Sequence, residues 1–402
     1  MKILQIAPQV PYPLDAGGRI GIFNITKYVA ALGHKIDLVM YSQTEGNQEA
    51  SDVLSEFCTP HFVVADTKDS PVGALQNLFS LVPYNISKYI RPEMLAKVKE
   101  LVLKNDYDVV HIDHLHLAWL SGEIKKIKNI RVVLREHNLE MEIMQRFYEN
   151  QKNPLIKFFA WMQYQKFRRY EPRLCGMTDT AMMITQVDRD KLLSFDTRLE
   201  TTVIPAGVTE EFLNQPAGET DPFTLFHVGS LEWIPNYTGL QWFIDRVMPE
   251  LIKRESRIRL HIYGKAVEKL TVPSDVKDAV NITGYVKDLL AEIADKHMCI
   301  VPLSVGGGIR IKVLEMLALS KVVVSTSIGK EGIDASDGKE ILVADSAEIF
   351  VEKILRVINH PDESQSIRVN AREFILQNYT WSSIAKKFTE CYSGKSLKSV
   401  AY

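Results

Sequence analysis

Short apolar runs alternate with helix-like patterns from the second residue onward, and few folds accommodate that alternation. "KILQIA" (residues 2–7), "KIDLVMY" (35–41), "DVVHI" (108–112), "RVVLRE" (131–136), "TAMMIT" (180–185) and "TTVIP" (201–205) read as buried strands. Helical stretches such as 19–32 and 92–104 lie between several of them. A strand that rejoins its sheet through a helix runs parallel to its predecessor, so the pattern implies a doubly wound α/β layer.

The pattern breaks at "PAGVTEEFLNQPAGETDPF" (205–223), which is rich in Pro, Gly and acidic residues and reads as a linker. A second alternation follows with "TLFHVG" (224–229), "RLHIYG" (259–264), "VNITG" (280–284), "MCIVPL" (298–303) and "KVVVST" (321–326). From residue 345 the chain reads as helical, ending in "TWSSIAKKFTECY" (380–392), where Trp381, Ile384, Ala385 and Phe388 keep helical spacing. At 402 residues the chain exceeds one ordinary core. The expected division is an N-terminal Rossmann-like domain (1–205), a second one (206–375), and a C-terminal helix (376–402) packing back on the first.

Composition excludes several classes. A 46% apolar and 24% charged chain is of the globular kind, and a net charge of −2 gives no overall attraction to nucleic acid. Cys58, Cys175, Cys299 and Cys391 are scattered, with neither a Cys-x-x-Cys nor a Cys/His cluster, so reduced thiols without disulfides or structural zinc are expected. The N-terminus lacks the form of a signal peptide, and no window reaches the roughly 20 apolar residues of a membrane span. The expectation is a cytoplasmic chain, working free or on the inner face of a membrane.

Ligands of doubly wound sheets bind at the carboxyl ends of strands, and with two such domains the expected site is the cleft between them. "SVGGGIRIKVLEMLALSKVVVS" (304–325) stands in such a place. Gly306, Gly307 and Gly308 permit close backbone approach. A helix starting near Ile309 would aim its free N–H groups at an anion, and Arg310 in its first turn would add a forked donor. Lys312 and Glu315 are three apart on one face of a helix that is otherwise apolar all round. A buried carboxylate needs partners, so Glu315 is expected to meet Lys312 or the hydroxyls of a ligand. A surface Lys312–Glu315 pair beside a glycine turn without a ligand is the alternative. The segment is neither a Walker loop nor the GxGxxG fingerprint.

The collection of motifs resembles the retaining glycosyltransferases of family 4, which use the two-domain GT-B fold. The resemblance rests on "APQVPYPLDAGGRI" with Gly17 and Gly18 in an acceptor-side loop, "YDVVHIDH" (107–114), "LREHNLE" (134–140), "VIPAGV" (203–208), "FHVGSLEWIPN" (226–236), "NITGYVKD" (281–288) and the glycine–cation–carboxylate segment. It implies transfer of a sugar from a nucleotide-diphosphate sugar to a glycan or lipid-linked acceptor, with no cofactor and no metal. By this resemblance Glu315 holds ribose hydroxyls, the glycines approach the donor sugar and phosphate, and His137 lies near the reacting centre. Gly229, Ser230, Asn236, Arg310 and Lys312 join the donor site. Two departures stand out: Gly307 occupies the place of a second Glu, and Ser230 that of an Arg. Arg310 and Lys312 are therefore expected to supply the diphosphate charge. A non-catalytic sugar-nucleotide or glycan-binding protein, and a sugar-nucleotide epimerase on the same fold, are the competing readings.

Three other segments carry two readings each. "DRD" (188–190) imitates a metal-binding Asp-x-Asp but fits a helix start capped by Asp188. In "HIDHLHLAW", strand alternation would put His114 and His116 on one face, too few ligands for a metal and better suited to acceptor contact. In 153–174, Lys157, Trp161, Tyr164 and Arg168 align if helical. That stripe would suit peripheral contact with anionic lipid; the other reading is a core-packed helix with Phe158, Phe159 and Met162 inward.

Overall fold

A computed structural model of the chain describes residues 1–14, 17–44, 47–216, 218–305 and 309–394. Two compact units emerge: residues 1–205 joined by the chain from Trp381 onward, and residues 206–380. The division at the far end thus falls at Trp381 and leaves 376–380 with the second unit.

The first unit holds a parallel sheet of seven strands: β1 (Lys2–Ala7), β2 (Lys35–Ser42), β3 (Thr59–Val64), β4 (Val109–Asp113), β5 (Arg131–Glu136), β6 (Thr180–Met183) and β7 (Thr201–Val203). Their order is β3-β2-β1-β4-β5-β6-β7. Alternate residues feed two apolar layers. Leu4, Ile6, Val110 and Leu134 pack on one face, while Ala7, Leu38 and Met40 pack on the other with Ile22 of the Gly17–Ala31 helix. Burial on both faces explains why these strands read as near-continuous apolar runs. Strand β3 escaped that signal: it is an edge strand, half exposed, with Pro60 near its start.

The second unit repeats the design with β8 (Asp221–Val228), β9 (Arg259–Tyr263), β10 (Val280–Gly284), β11 (Lys296–Val301), β12 (Val322–Ser325) and β13 (Leu342–Val343), ordered β10-β9-β8-β11-β12-β13. All pairs are parallel. The expected linker contains a short helix, Glu210–Leu213, and the first residues of β8. In each sheet the strand order reverses beside the first strand, between β1 and β4 and between β8 and β11. Those switch points are where doubly wound sheets open a crevice at their carboxyl ends.

The Trp381–Tyr392 helix belongs to the first unit and packs on the Gly17–Ala31 helix. Trp381, Ile384, Phe388 and Tyr392 are buried there. Each large apolar side chain withdrawn from water contributes roughly 1.5–3 kcal/mol, which holds this sequence-distant helix in place.

Candidate functional site

At the carboxyl ends of β4 and β5 in the first unit, Asp113 lies opposite Arg135. Beyond β4 the chain turns sharply. His114 adopts φ 70°, and a single 3-10 turn, Leu115–Leu117, follows. His114 and His116 therefore do not alternate along a strand as expected. A positive φ at a non-glycine residue costs on the order of 1–3 kcal/mol and persists only where its surroundings impose it. Here the His114 ring is stacked on His137.

Asp113 is fully buried and collects donors. Gln5 Nε2 donates to it at 2.7 Å, Arg135 Nη1 lies at 3.4 Å, and the Thr26 hydroxyl steadies Gln5 at 2.9 Å. Burial alone would raise the Asp113 carboxyl; the Arg135 cation and the Gln5 amide donor more than offset this and keep it ionised. Arg135 Nη1 is also 2.7 Å from His137 Nε2. An arginine can only donate, so His137 Nε2 accepts and its proton sits on Nδ1. The 3.3 Å approach of the same Nε2 to Asp113 is then a contact without a shared proton. Burial first, and the Arg135 cation second, push His137 down to about 4. His137 is a neutral imidazole at pH 7.

His111 continues the chain of contacts. Its Nδ1 is 2.8 Å from the Tyr392 hydroxyl, and its Nε2 faces Asp113 at 3.7 Å. The C-terminal helix thus reaches His137 through His111 and Asp113, and Arg135 also lies over the Phe388 ring at 5.9 Å. At Gly21 an added Cβ would stand 3.1 Å from Arg135 Nη1 and 3.5 Å from His137 Cε1, so the guanidinium would have to give way slightly. At Gly18 the same atom would be 3.7 Å from His114 Nε2, a buried nitrogen without a hydrogen-bond partner among the described residues. Gly17 opens the helix and faces open space.

The loop carrying His137 is clamped from behind. Glu171, buried on the Pro154–Cys175 helix, accepts from the backbone N–H groups of Glu140 and Met141, both at 2.8 Å. Those are orphan donors at the start of the Glu140–Asn150 helix. Burial pushes Glu171 up to about 8, and burial with the Glu171 charge pushes Glu136 upward.

In the second unit, β8 is followed by Gly229, whose φ of +156° and lack of a side chain are both needed. A Cβ there would fall 2.6 Å from Asn236 Nδ2 and 3.3 Å from Lys312 Nζ. Asn236 is buried on the Ile234–Arg246 helix; its Nδ2 donates to the Ser230 carbonyl at 3.0 Å and its Oδ1 accepts from Lys312 Nζ at 3.0 Å. The ammonium also donates to the Val228 carbonyl at 3.1 Å. Burial lowers Lys312 to about 8. The Ser230 hydroxyl turns to Glu232 at 3.2 Å. Arg310 is buried, with its guanidinium 5.5 Å over the Trp233 ring.

The helix here is Ile311–Ala318, so Arg310 is its extended N-cap residue and not part of the first turn as expected from sequence. An extended Arg310 leaves the helix axis beginning at Ile311, which is itself exposed, so the helix is not buried on every side. Lys312 and Glu315 do not pair: Asn236 and Val228 take the ammonium. No donor among the described residues reaches the Glu315 carboxylate, and burial raises it to about 7, with Glu211 adding to the effect. Gly306, Gly307 and Gly308 lie outside the described residues.

Two other expectations change. The "DRD" helix is Gln186–Leu193 and is capped by Thr185, whose Oγ1 accepts from Asp188 N at 3.0 Å. Asp188 returns the contact by accepting from that hydroxyl at 2.7 Å, so it sits within the first turn. On the Pro154–Cys175 helix the inward residues are Ala160, Gln163 and Phe167, while Phe158 is 58% exposed. Arg135, Glu171 and Tyr392 were missed by sequence reasoning. A charge inside an apolar strand, as in "VVLRE", was the available signal for Arg135; the other two are brought in by distant helices.

A model described as "Glycosyltransferase Family 4" matches residues 16–212, and one described as "Glycosyl transferases group 1" matches residues 222–360. A 44.6 kDa protein in the cps region of Klebsiella pneumoniae, described as uncharacterized, is 24% identical over 96% of this chain and 99% of its own length. Among solved structures, HepE of Anabaena in complex with UDP shares the fold at a TM-score of 0.64, with 14% identity over 98% of this chain and 100% of its own. The sucrose-phosphate synthase of Thermosynechococcus elongatus does so at 0.63, with 14% identity over 98% and 99%. Each half of the chain matches its own glycosyltransferase model, and with two parallel-sheet domains of GT-B type this supports its place among family 4-type glycosyltransferases.

Proposed function

We propose that the protein moves a sugar from a nucleoside-diphosphate sugar to an acceptor hydroxyl, with retention and without a metal ion, in the assembly of a bacterial glycan or polysaccharide. The observation that carries this reading is the buried Lys312 ammonium, fixed by Asn236 and the Val228 carbonyl next to Gly229, with an unpartnered Glu315 on the same helix. Lys312, Arg310, the helix N-terminus and Gly306 to Gly308 would serve the diphosphate, and Glu315 the ribose hydroxyls.

As the anomeric C–O bond breaks, its electron pair passes to the departing phosphate. Fixed cations in a dry site stabilise that growing charge more than the ground state. The acceptor oxygen bonds to the anomeric carbon on the same face, and its proton goes to the leaving phosphate oxygen. His137, neutral with its proton on Nδ1, acts as a hydrogen-bond donor near the sugar; Gly17, Gly18 and His114 border the acceptor. A nucleoside-diphosphate donor accords with the UDP named for HepE, and a capsule-type product with the cps-region relative. Peripheral contact on the cytoplasmic membrane face through 153–174 accords with exposed Leu155, Phe158 and Trp161, although no described helix is long and apolar enough to cross a membrane.

The test is a thermal-shift panel of nucleoside diphosphates and sugar nucleotides, followed by transfer assays, since a bound ligand raises apparent stability. One base is expected to stand out, with its shift lost in Lys312→Ala. No shift with any nucleotide sinks the reading. Binding without turnover would mark a binding protein, and a C2-inverted free nucleotide sugar would mark an epimerase.

A further inference from the structure

The first unit carries an open pocket of about 620 Å³ whose charged lining is Arg168, Arg169, Arg173, Asp196 and Arg198, four cations against one carboxylate. It lies where the Pro154–Cys175 helix ends before β6 and where the chain approaches β7, at the amino edge of the sheet. His137 follows the carboxyl end of β5, at the opposite edge. The pocket therefore stands apart from the residues assigned to glycosyl transfer.

Asp196 is already committed, holding Arg198 through two hydrogen bonds of 2.9 Å. Arg168 is oriented by two rings, Tyr164 and Phe195, each 5.6 Å from the centre of its guanidinium. None of Arg168, Arg169 and Arg173 donates to a carboxylate or carbonyl among the described residues. Lys166 on the same helix behaves otherwise: it donates to the Asn77 carbonyl at 2.6 Å. Like charges at this spacing repel one another on a helix, and a concave wall raises the local potential further. Forked guanidinium donors match phosphate oxygens in pairs.

We propose that this pocket binds a cluster of phosphate groups, carried on one ligand or by adjacent headgroups. The proposal does not rest on the donor reading. The ligand source is either a soluble phosphate compound or a phospholipid headgroup, which the experiment separates.

The full chain carrying Lys312→Ala, which removes the ammonium assigned to the other site, is titrated with tripolyphosphate by calorimetry at physiological salt. In parallel it is floated with vesicles of phosphatidylglycerol in phosphatidylcholine, and with phosphatidylcholine alone. Adding Arg169→Ala with Arg173→Ala is expected to weaken one of these signals at least tenfold while the melting temperature holds, because both residues are exposed. Arg169→Lys with Arg173→Lys is expected to fall between, since it keeps charge and loses the fork. Loss in the tripolyphosphate arm alone identifies a soluble ligand, and loss in the phosphatidylglycerol arm identifies a headgroup. Unchanged signals in the alanine variant, or no binding of either probe by the parent, overturn the proposal.

Discussion

The imidazole of His114 lies on that of His137, with ring centroids 3.5 Å apart and planes 13° from parallel. Stacking at that distance suits two neutral rings. A proton on either would face its neighbour and, at His137, the Arg135 cation. His137 is held at about 4, against an ordinary value near 6.5. Between these limits the unfolded chain binds the extra proton and the folded chain does not, so stability falls as pH drops from 6.5 toward 4. A shift of this size corresponds to at most about 3 kcal/mol from His137. Urea midpoints measured across that range should decline less in His137→Asn than in the wild type; equal declines would remove His137 as a source.

Tyr392→Phe should cost about 1–2 kcal/mol, because it leaves buried His111 Nδ1 without its partner. If the contact chain through His111 and Asp113 sets the His137 ring, transfer should lose kcat with little change in donor KM. A fall in stability alone would show that Tyr392 serves only packing.

Lys312 offers a proton-linked signature. Its folded value of about 8 lies below the ordinary 10.5, so stability rises with pH between the two, while affinity for a diphosphate declines above pH 8. A bound diphosphate favours the charged form, so binding at pH 8 should take up about half a proton. Calorimetry in buffers of different ionisation enthalpy reads that uptake directly, and its absence would mean that the diphosphate lies elsewhere. Lys312→Met should bind at least tenfold more weakly and unfold no earlier, since it removes the desolvation cost of a buried charge.

Glu315 should discriminate ribose from deoxyribose. A carboxylate that accepts from both ribose hydroxyls is expected to favour the ribonucleotide by about tenfold or more. Glu315→Ala should erase that preference. Since burial holds Glu315 near 7, ribonucleotide affinity should improve as pH rises through neutrality. A ribose preference intact in the variant would reassign this side chain to structure.

Gly229→Ala should be destabilising by roughly 1–3 kcal/mol, the usual cost of overpacking, because the added methyl meets Asn236 Nδ2 at 2.6 Å. Nucleotide affinity should fall with it as Lys312 loses its Asn236 partner. Circular dichroism melts and titrations on one sample check both.

The two sheets were legible in the sequence because strands buried on both faces appear as apolar-rich runs; "KILQIA" and "RVVLRE" coincide with β1 and β5. Strand β3 and the two-residue β13 were not, since β3 is partly exposed and opens on Thr59 and Pro60, and two residues are too few to show a pattern. Gly229, Asn236 and Lys312 could be picked out by motif, but their mutual contact could not, as Lys312 and Asn236 are 76 positions apart. Periodicity alone suggested that Lys312 would meet Glu315. The backbone carbonyl at Val228 won instead, because a buried ammonium needs several acceptors and the end of β8 supplies one. For the same reason Tyr392 was invisible as a neighbour of His111: nothing local in either segment anticipates the other.

The crossing back of the Trp381–Tyr392 helix has a consequence for biosynthesis. The half of the protein that leaves the ribosome first is the half completed last. Residues 206–380 can finish their own sheet during translation, whereas His111, Arg135 and the surface under Phe388 wait, uncapped, for the final segment. The nascent chain therefore carries an open apolar seam on its older part from the completion of residues 1–205 until Trp381–Tyr392 emerges, a period in which a chaperone would find its binding surface and a ribosome stall would be most damaging.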